Sequence, residues 1–306
     1  VIIKISRYLA FYLSAFLTLL RIKPNRIIYF ESLSALPAIW YKIWKNDAAI
    51  YAHYHEIVTL GELKSGRLLN RLINGIEAKY YPKFTWISQT NKTRISIFKD
   101  QYRLNAKLES FGVLPNFPPK SWISSSSLPR KNNRIIKLLH IGALSIKGMY
   151  LKEALDQFGS NPNYTIDFYS HNFSTEVKEA ILQHKNCTIH GAINYQDIPK
   201  LKGLYDVGLV LYKALSSNVK YCAPNKVFEY LALDLDVWCS DKLITAKEYE
   251  RLDCYPKMIM VDFTKLDQFN TDKAIDRAGL DYVVSSYVCE PEYETLLNVL
   301  NENTRT

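Results

Sequence analysis

Apolar residues recur along this chain in short blocks separated by polar, helix-periodic stretches, the alternation expected of strands and amphipathic helices. IIYF at 27–30 and AAIYAHYH at 48–55 read as short buried strands, and the segment between them, from Ser34 to Lys45, carries a Trp/Leu/Ile face. Strand, helix, strand within about 30 residues is a βαβ unit and calls for a parallel sheet. TWIS at 85–88 predicts another strand and Lys92 to Tyr102 a helix, while the three prolines of GVLPNFPP (112–119) permit only extended or turn structure. Ser121 to Asn133 has no apolar periodicity and is the linker candidate.

A second alternating unit comes next. Strands are expected at 135–142, 164–170, 187–191, 206–212 and 236–240, with helices from Gly148 to Phe158, Thr175 to His184, Gln196 to Lys202 and Pro224 to Leu233. A last amphipathic helix, Glu290 to Glu302, has acidic residues in its first turn. The expected organisation is a domain over 1–120, a linker over 121–133, a second domain over 134–287, and a terminal helix within 288–306 packing back on the first domain. A length of 306 residues suits two such α/β domains.

Composition excludes disordered and collagen-like chains, since 48% of residues are hydrophobic and 23% charged, with 11 Gly and 12 Pro. The net charge of +9 hides a division: residues 1–150 hold 23 Lys and Arg against seven Asp and Glu, whereas residues 151–306 hold 16 against 23. A basic first half suits a nucleic acid, an anionic membrane surface or a phosphorylated ligand, or is simply a solvated lysine-rich surface. Its cations are scattered rather than grouped with aromatics at a stacking spacing, which weighs against nucleic acid. Five widely spaced cysteines without a C-x-x-C pair argue against a disulfide framework and a structural zinc site, and favour a reducing cytoplasm. Tyr8 to Leu20 is uncharged but too short to span a bilayer, so a buried or interfacial helix is expected there.

Parallel sheets bind ligands beyond the carboxyl ends of their strands, so the residues just past each strand are the first candidates for a site. His53, His55 and Glu56 close the second strand. No third ligand pattern accompanies them, so a metal site is not expected, and a histidine that hydrogen-bonds a hydroxyl is the more economical role. After the strand at 135–142 come Gly142 and the pair Lys147-Gly148 before a helix, where a ligand can approach the backbone and helix amides favour phosphate oxygens. Neither the dinucleotide fingerprint nor the P-loop spacing is present. The third position is Pro224-Asn225-Lys226 with Glu229 one turn further in. Unpaired amides of Asn225 and Lys226 suit phosphate, whereas Glu229 suits ribose hydroxyls or an ordinary surface pair with Lys226.

In order, these segments resemble the retaining, family-four glycosyltransferases of the GT-B fold. The family's His-Glu after a first-domain strand is matched by His55-Glu56, its Pro-Asn before the linker by Pro115-Asn116, and its "G-R-L-x-x-x-K-G" by residues 140–148. An "aDvgl" strand is matched by residues 205–212 and "P-x-K-x-x-E-Y-x-A-x-G-x-P-V" by residues 224–238. The resemblance implies two Rossmann-like α/β domains facing a cleft. It implies a donor site of Gly142, Lys147, Pro224, Asn225, Lys226 and Glu229, catalytic roles for His55, Lys147 and Glu229, and an acceptor side of His53, His55 and Glu56. The implied substrate is a UDP-sugar or GDP-sugar with no metal cofactor. The implied acceptor is a glycan, lipid-linked in surface polysaccharides such as capsule or lipopolysaccharide, met at the inner face of the membrane by a cytoplasmic, peripheral enzyme.

Four departures accompany the match. Ala143 stands where many relatives carry Arg, and the loop to Lys147 is one residue shorter than the common spacing. Tyr221 stands at the family's earlier Glu, and Asp234 and Asp236 replace its Gly and Pro. The family's first strand and glycine-rich loop would precede Val1, so the N-terminal domain is expected to be truncated. A catalytically degenerate binding or scaffold subunit is the alternative these departures motivate.

Overall fold

The computed structural model describes residues 2–104, 111–123 and 135–302. The chain divides into two compact units, Val1–Pro115 with Glu292–Thr306, and Asn116–Pro291. Most of the candidate linker, residues 124–133, lies outside the described residues.

The first unit opens with helix α1 (Ile2–Ile22), then β1 (Arg26–Phe30), α2 (Ala35–Trp44) and β2 (Ala49–Tyr54). Helices α3 (Leu60–Ser65) and α4 (Leu68–Ala78), β3 (Trp86–Gln89), α5 (Lys92–Tyr102) and β4 (Phe111–Val113) complete its core. The strands form one parallel sheet in sequence order, β1-β2-β3-β4. Its register sets Phe30, His53, Ser88 and Gly112 in one row and Tyr54, Gln89 and Val113 in the next, so the carboxyl ends of the strands stand side by side. Helix α1 turns Tyr12 and Phe16 onto Trp40 of α2 and leaves Leu9, Leu13 and Leu17 more than half exposed. Among the described residues no helix is long and apolar enough to cross a membrane.

Residues 57–84 carry two helices that apolar periodicity does not reveal. Thr59 and Glu62 form a reciprocal capping box at the start of α3. In α4 the apolar row Leu68, Leu72 and Ile76 faces outward, while a carboxylate, Glu77, is fully buried. Glu77 is tolerated because Tyr29 (2.5 Å), Tyr54 (2.6 Å) and Tyr81 (3.1 Å) donate their hydroxyls to it.

The second unit contains β5 (Ile136–Ile141), α6 (Leu151–Phe158), β6 (Tyr164–Tyr169), α7 (Thr175–Leu182), β7 (Cys187–His190) and β8 (Val207–Val210). After these come α8 (Ser217–Lys220), α9 (Asn225–Ala232), β9 (Asp236–Ser240), β10 (Cys254–Tyr255), β11 (Met258–Val261), α10 (Thr271–Ile275) and β12 (Asp281–Tyr282). A six-stranded parallel sheet in the order β11-β9-β8-β5-β6-β7 is buried on both faces. Strand order reverses between β5 and β8, which makes that junction the topological switch point. Gly208 in β8 is required by packing, since a Cβ there would stand 2.2 Å from the Tyr230 ring of α9. The five cysteines are free thiols.

Two expectations shift. The helix expected from Gly148 starts at Leu151, because Met149 bridges to Tyr212 and Lys213 N–H bonds to Gly148 O, holding the preceding turn against the end of β8. The segment at 195–201 is a 3-10 helix, with Pro199 inside it removing one amide donor. Finally, α11 (Cys289–Glu302) runs from the second unit into the first, where Leu296, Val299 and Leu300 pack on Tyr51, Trp86 and Leu114.

Candidate functional site

The second unit gathers its candidate residues at the switch point. β5 ends at Ile141, whose N–H is held by the Tyr230 hydroxyl at 2.9 Å, and the chain turns at Gly142 with φ of 120°. That backbone conformation excludes most side chains. Lys226 lies across the opening, its Cε 3.4 Å from where a Cβ on Gly142 would sit. Pro224 is the N-cap of α9 and Asn225 and Lys226 are its first residues, whose amides have no intrahelical partner. Glu229 is 3% exposed, and its Oε2 accepts from Lys226 Nζ at 2.6 Å. The pair of Lys226 with Glu229 therefore exists, but it is a half-buried pair at a strand end rather than a solvated surface one. Lys147 sits exposed in the turn that leads to α6.

Sequence reasoning gave no role to one neighbour in this unit. His140, 3% exposed, donates from Nδ1 to Leu209 O at 3.1 Å and keeps Nε2 without a partner. Burial, aided by the charge of Lys226, pushes it down to about 4, so the ring is neutral near pH 7. Asp234 adopts the left-handed conformation (φ 59°), which explains why glycine is at home at this position in the family pattern. Here its carboxylate pairs with Lys202 at 3.0 Å and accepts from Tyr282 at 3.0 Å. Asp236, fully buried, is held by Arg277 at 3.0 Å and by Lys257 N–H at 2.6 Å.

The first unit gathers its own candidate residues at the carboxyl ends of β1, β2 and β3. His53 is 1% exposed, hydrogen-bonded through Nδ1 to Ser88 Oγ at 2.7 Å, and burial with the neighbouring His55 pushes it down to about 3. His55 is exposed, its ring 4.4 Å from that of His53 and its Nδ1 3.6 Å from Glu31 Oε1. Glu31 Oε1 also accepts from the N–H groups of His55 (2.6 Å) and Glu56 (3.2 Å). Glu31 itself has φ 64° and ψ 146°, a region nearly reserved for glycine, so the backbone is strained at the end of β1. Buried Arg94, on the N-terminal turn of α5, donates to His55 O and to Thr90 Oγ1 at 2.9 Å. A cavity of about 440 Å³ opens here, lined among others by Glu31, His55, Glu56, Asn70 and Gln89. Glu31 was within reach of the strand-end rule, since it directly succeeds the strand at 27–30. Gln89 and Asn70 carried no motif. Among the described residues no three His, Cys, Asp or Glu side chains gather to hold a metal ion.

No family model matches the chain, and no curated protein matches its sequence. Solved structures do match in three dimensions. The lipopolysaccharide outer core galactosyltransferase WaaB in its apo form is 11% identical, covering 99% of this chain and 82% of its own length with a TM-score of 0.65. This chain has the GT-B fold. Anabaena HepE in complex with UDP and glucose is 12% identical over 96% of this chain and 81% of its own, with a TM-score of 0.64. OtsA in its apo form is 12% identical over 97% and 74%, with a TM-score of 0.60. The GT-B fold expected from the ordered motifs is thus the fold of the protein, and parallel α/β sheets in both units are its basis.

Proposed function

We propose that the protein is a retaining glycosyltransferase that moves a sugar from a nucleotide diphosphate sugar to a glycan acceptor, lipid-linked in surface polysaccharide assembly. The observation that carries this reading is the placement of Lys226 over Gly142, with Glu229 buried beside it, at the switch point of the second sheet. Gly142 leaves room for the diphosphate, and Lys226, the amides of Asn225 and Lys226 beyond Pro224, and Lys147 bring positive charge to it. Glu229, poor for phosphate, accepts from the ribose hydroxyls. As the bond from sugar to phosphate breaks, charge grows on the leaving diphosphate, and fixed cations there lower the barrier without a metal. His55 meets the transferred sugar or the acceptor hydroxyl. His53 orients it through their ring contact and Glu56 lies beside them, while no carboxylate nucleophile is assigned. HepE, which shares the fold, was captured with UDP and glucose, which favours UDP as the base-bearing half.

Attachment to the inner face of a membrane belongs to the same reading. Its support is the outward rows Leu9, Leu13, Leu17 and Leu68, Leu72, Ile76, flanked by exposed Arg7, Arg67 and Arg71.

Isothermal titration with UDP and GDP tests the donor site. Wild-type protein binds one of them, and Glu229→Ala and Lys226→Ala each weaken binding by about tenfold or more, the loss of a charge-assisted contact. No binding at millimolar nucleotide, or substitutions without effect, sinks the assignment.

A further inference from the structure

The cavity of the first unit has a chemistry of its own. Its volume of about 440 Å³ lies within the roughly 300–1,000 Å³ of small-molecule sites. Tyr54, Tyr81, Phe98 and Tyr102 supply aromatic walls. Their hydroxyls are already committed, Tyr54 and Tyr81 to Glu77 and Tyr102 to Asn74, so it is ring surface that they offer. Polar groups offered by the lining include the carboxylate of Glu31, whose Oε1 already accepts from two backbone amides, the carboxylate of Glu56, the amide of Asn70 and the amide of Gln89. Gln89 is 1% exposed and its Oε1 has no hydrogen-bond partner, a buried acceptor that costs free energy until something donates to it.

These groups are mostly acceptors. Ionised carboxylates only accept, and so does Oε1 of Gln89. Among the described residues no Lys or Arg lines the cavity, and His55, the one imidazole among them, already stands beside Glu31. A phosphate or pyrophosphate would bring further acceptors and negative charge against two carboxylates, an unfavourable meeting in a partly desolvated site. A sugar ring brings hydroxyl donors for Gln89, Glu31 and Glu56, and an apolar C–H face for the tyrosine and phenylalanine rings.

We infer that this cavity takes an uncharged, hydroxyl-rich sugar ring of the acceptor, read by Gln89, and that it rejects the phosphorylated part of any lipid-linked substrate. The inference rests on the reading of the first unit as the acceptor side. It places the basic character of this half outside the cavity.

Saturation-transfer NMR and calorimetric titration of the whole protein with methyl hexosides, the corresponding hexose phosphates and inorganic phosphate test it. At least one methyl hexoside binds, and its phosphate counterpart binds about tenfold more weakly. Gln89→Met, close in volume, weakens hexoside binding about tenfold by removing one hydrogen bond. Glu56→Gln, at an exposed position, narrows the gap between hexoside and hexose phosphate. The inference is overturned if no methyl hexoside binds up to roughly a tenth molar, if phosphates bind as tightly, if Gln89→Met binds like wild type, or if Glu56→Gln leaves the gap unchanged. Should Gln89→Met fail to fold, the Glu56 comparison decides. A parallel UDP titration separates the two readings: loss of UDP binding with hexoside binding kept removes the donor assignment alone, and the reverse removes this inference alone.

Discussion

Lys226 Cε stands 3.4 Å from the place a Cβ on Gly142 would occupy, and Gly142 itself holds φ of 120°. The cation at the start of α9 is thus laid against a backbone turn that only glycine adopts without strain. Strand end, glycine and lysine are one local structure assembled from segments far apart in the chain.

Gly142→Ala is therefore expected to act twice. Backbone strain lowers the unfolding free energy by about 1–3 kcal/mol, read by urea denaturation. The strained turn shifts the backbone that faces the diphosphate, the methyl itself lying in ordinary contact with Lys226, and UDP affinity falls about tenfold or more in calorimetry. A stable variant with unchanged UDP affinity contradicts the donor geometry.

Acid weakens the protein through His53 and His140. Both have folded-state values depressed by burial, to about 3 and about 4, so between those values and the unfolded value near 6.5 the unfolded chain binds more protons. Their contribution is present above pH 6.5 and is lost as pH falls. At pH 5 each has forfeited roughly 2 kcal/mol. Denaturation across pH 5–7 reads this slope, and His53→Gln flattens it; a slope unchanged by that substitution excludes His53 as a source.

Asp234 trades backbone strain for an ion pair. Asp234→Gly relieves the left-handed cost of roughly 1–2 kcal/mol but leaves Lys202, whose side chain is 13% exposed, with the Ala232 carbonyl at 3.2 Å and no carboxylate partner from Asp234, for a net loss of about 1–3 kcal/mol. Asp234→Ala keeps the strain and loses the pair, so it is the less stable of the two. Thermal unfolding of both variants checks the order, and the reverse order refutes the account.

Vesicle sedimentation tests membrane attachment. Anionic vesicles retain wild-type protein at low salt and release part of it at high salt, since charge pairs at the surface are screened. Replacing Leu9, Leu13 and Leu17 with Ser removes salt-resistant binding, and replacing Arg67 and Arg71 with Ser removes the salt-sensitive part. Equal binding to neutral vesicles counts against the role of the arginines.

Most strands and the helices flanking them were legible because each buries one repeating face, a local property of spacing. α2, α5, α7 and α9 fall where periodicity and capping place them, and β11 was missed because a 3-10 helix at Thr245–Tyr249 and the two-residue β10 stand between it and β9, where the alternation would place an α-helix. Helix α4 was missed for a deeper reason. Its inward face sets Ile73 beside Glu77, whose carboxylate is satisfied by three tyrosine hydroxyls from β1, β2 and the turn after α4, while Leu68, Leu72 and Ile76 face out. A single-helix pattern read along the chain inverts such a face.

The candidate site divides in the same way. Gly142, Lys226 and Glu229 announced themselves by residue type and by position after a strand or at a helix start, because glycine freedom and unpaired helix amides are local consequences of the backbone. The sequence by itself determined the α/β alternation, the charge division and the strand-end residues. Only the tertiary structure decided that Tyr230 reaches back 89 residues to hold Ile141, that Glu31 turns its carboxylate onto the amides of His55 and Glu56, and that the Oε1 of Gln89 is buried without a partner. Strand order sets those meetings, and strand order arises from the packing of whole sheets, which no short window of residues contains.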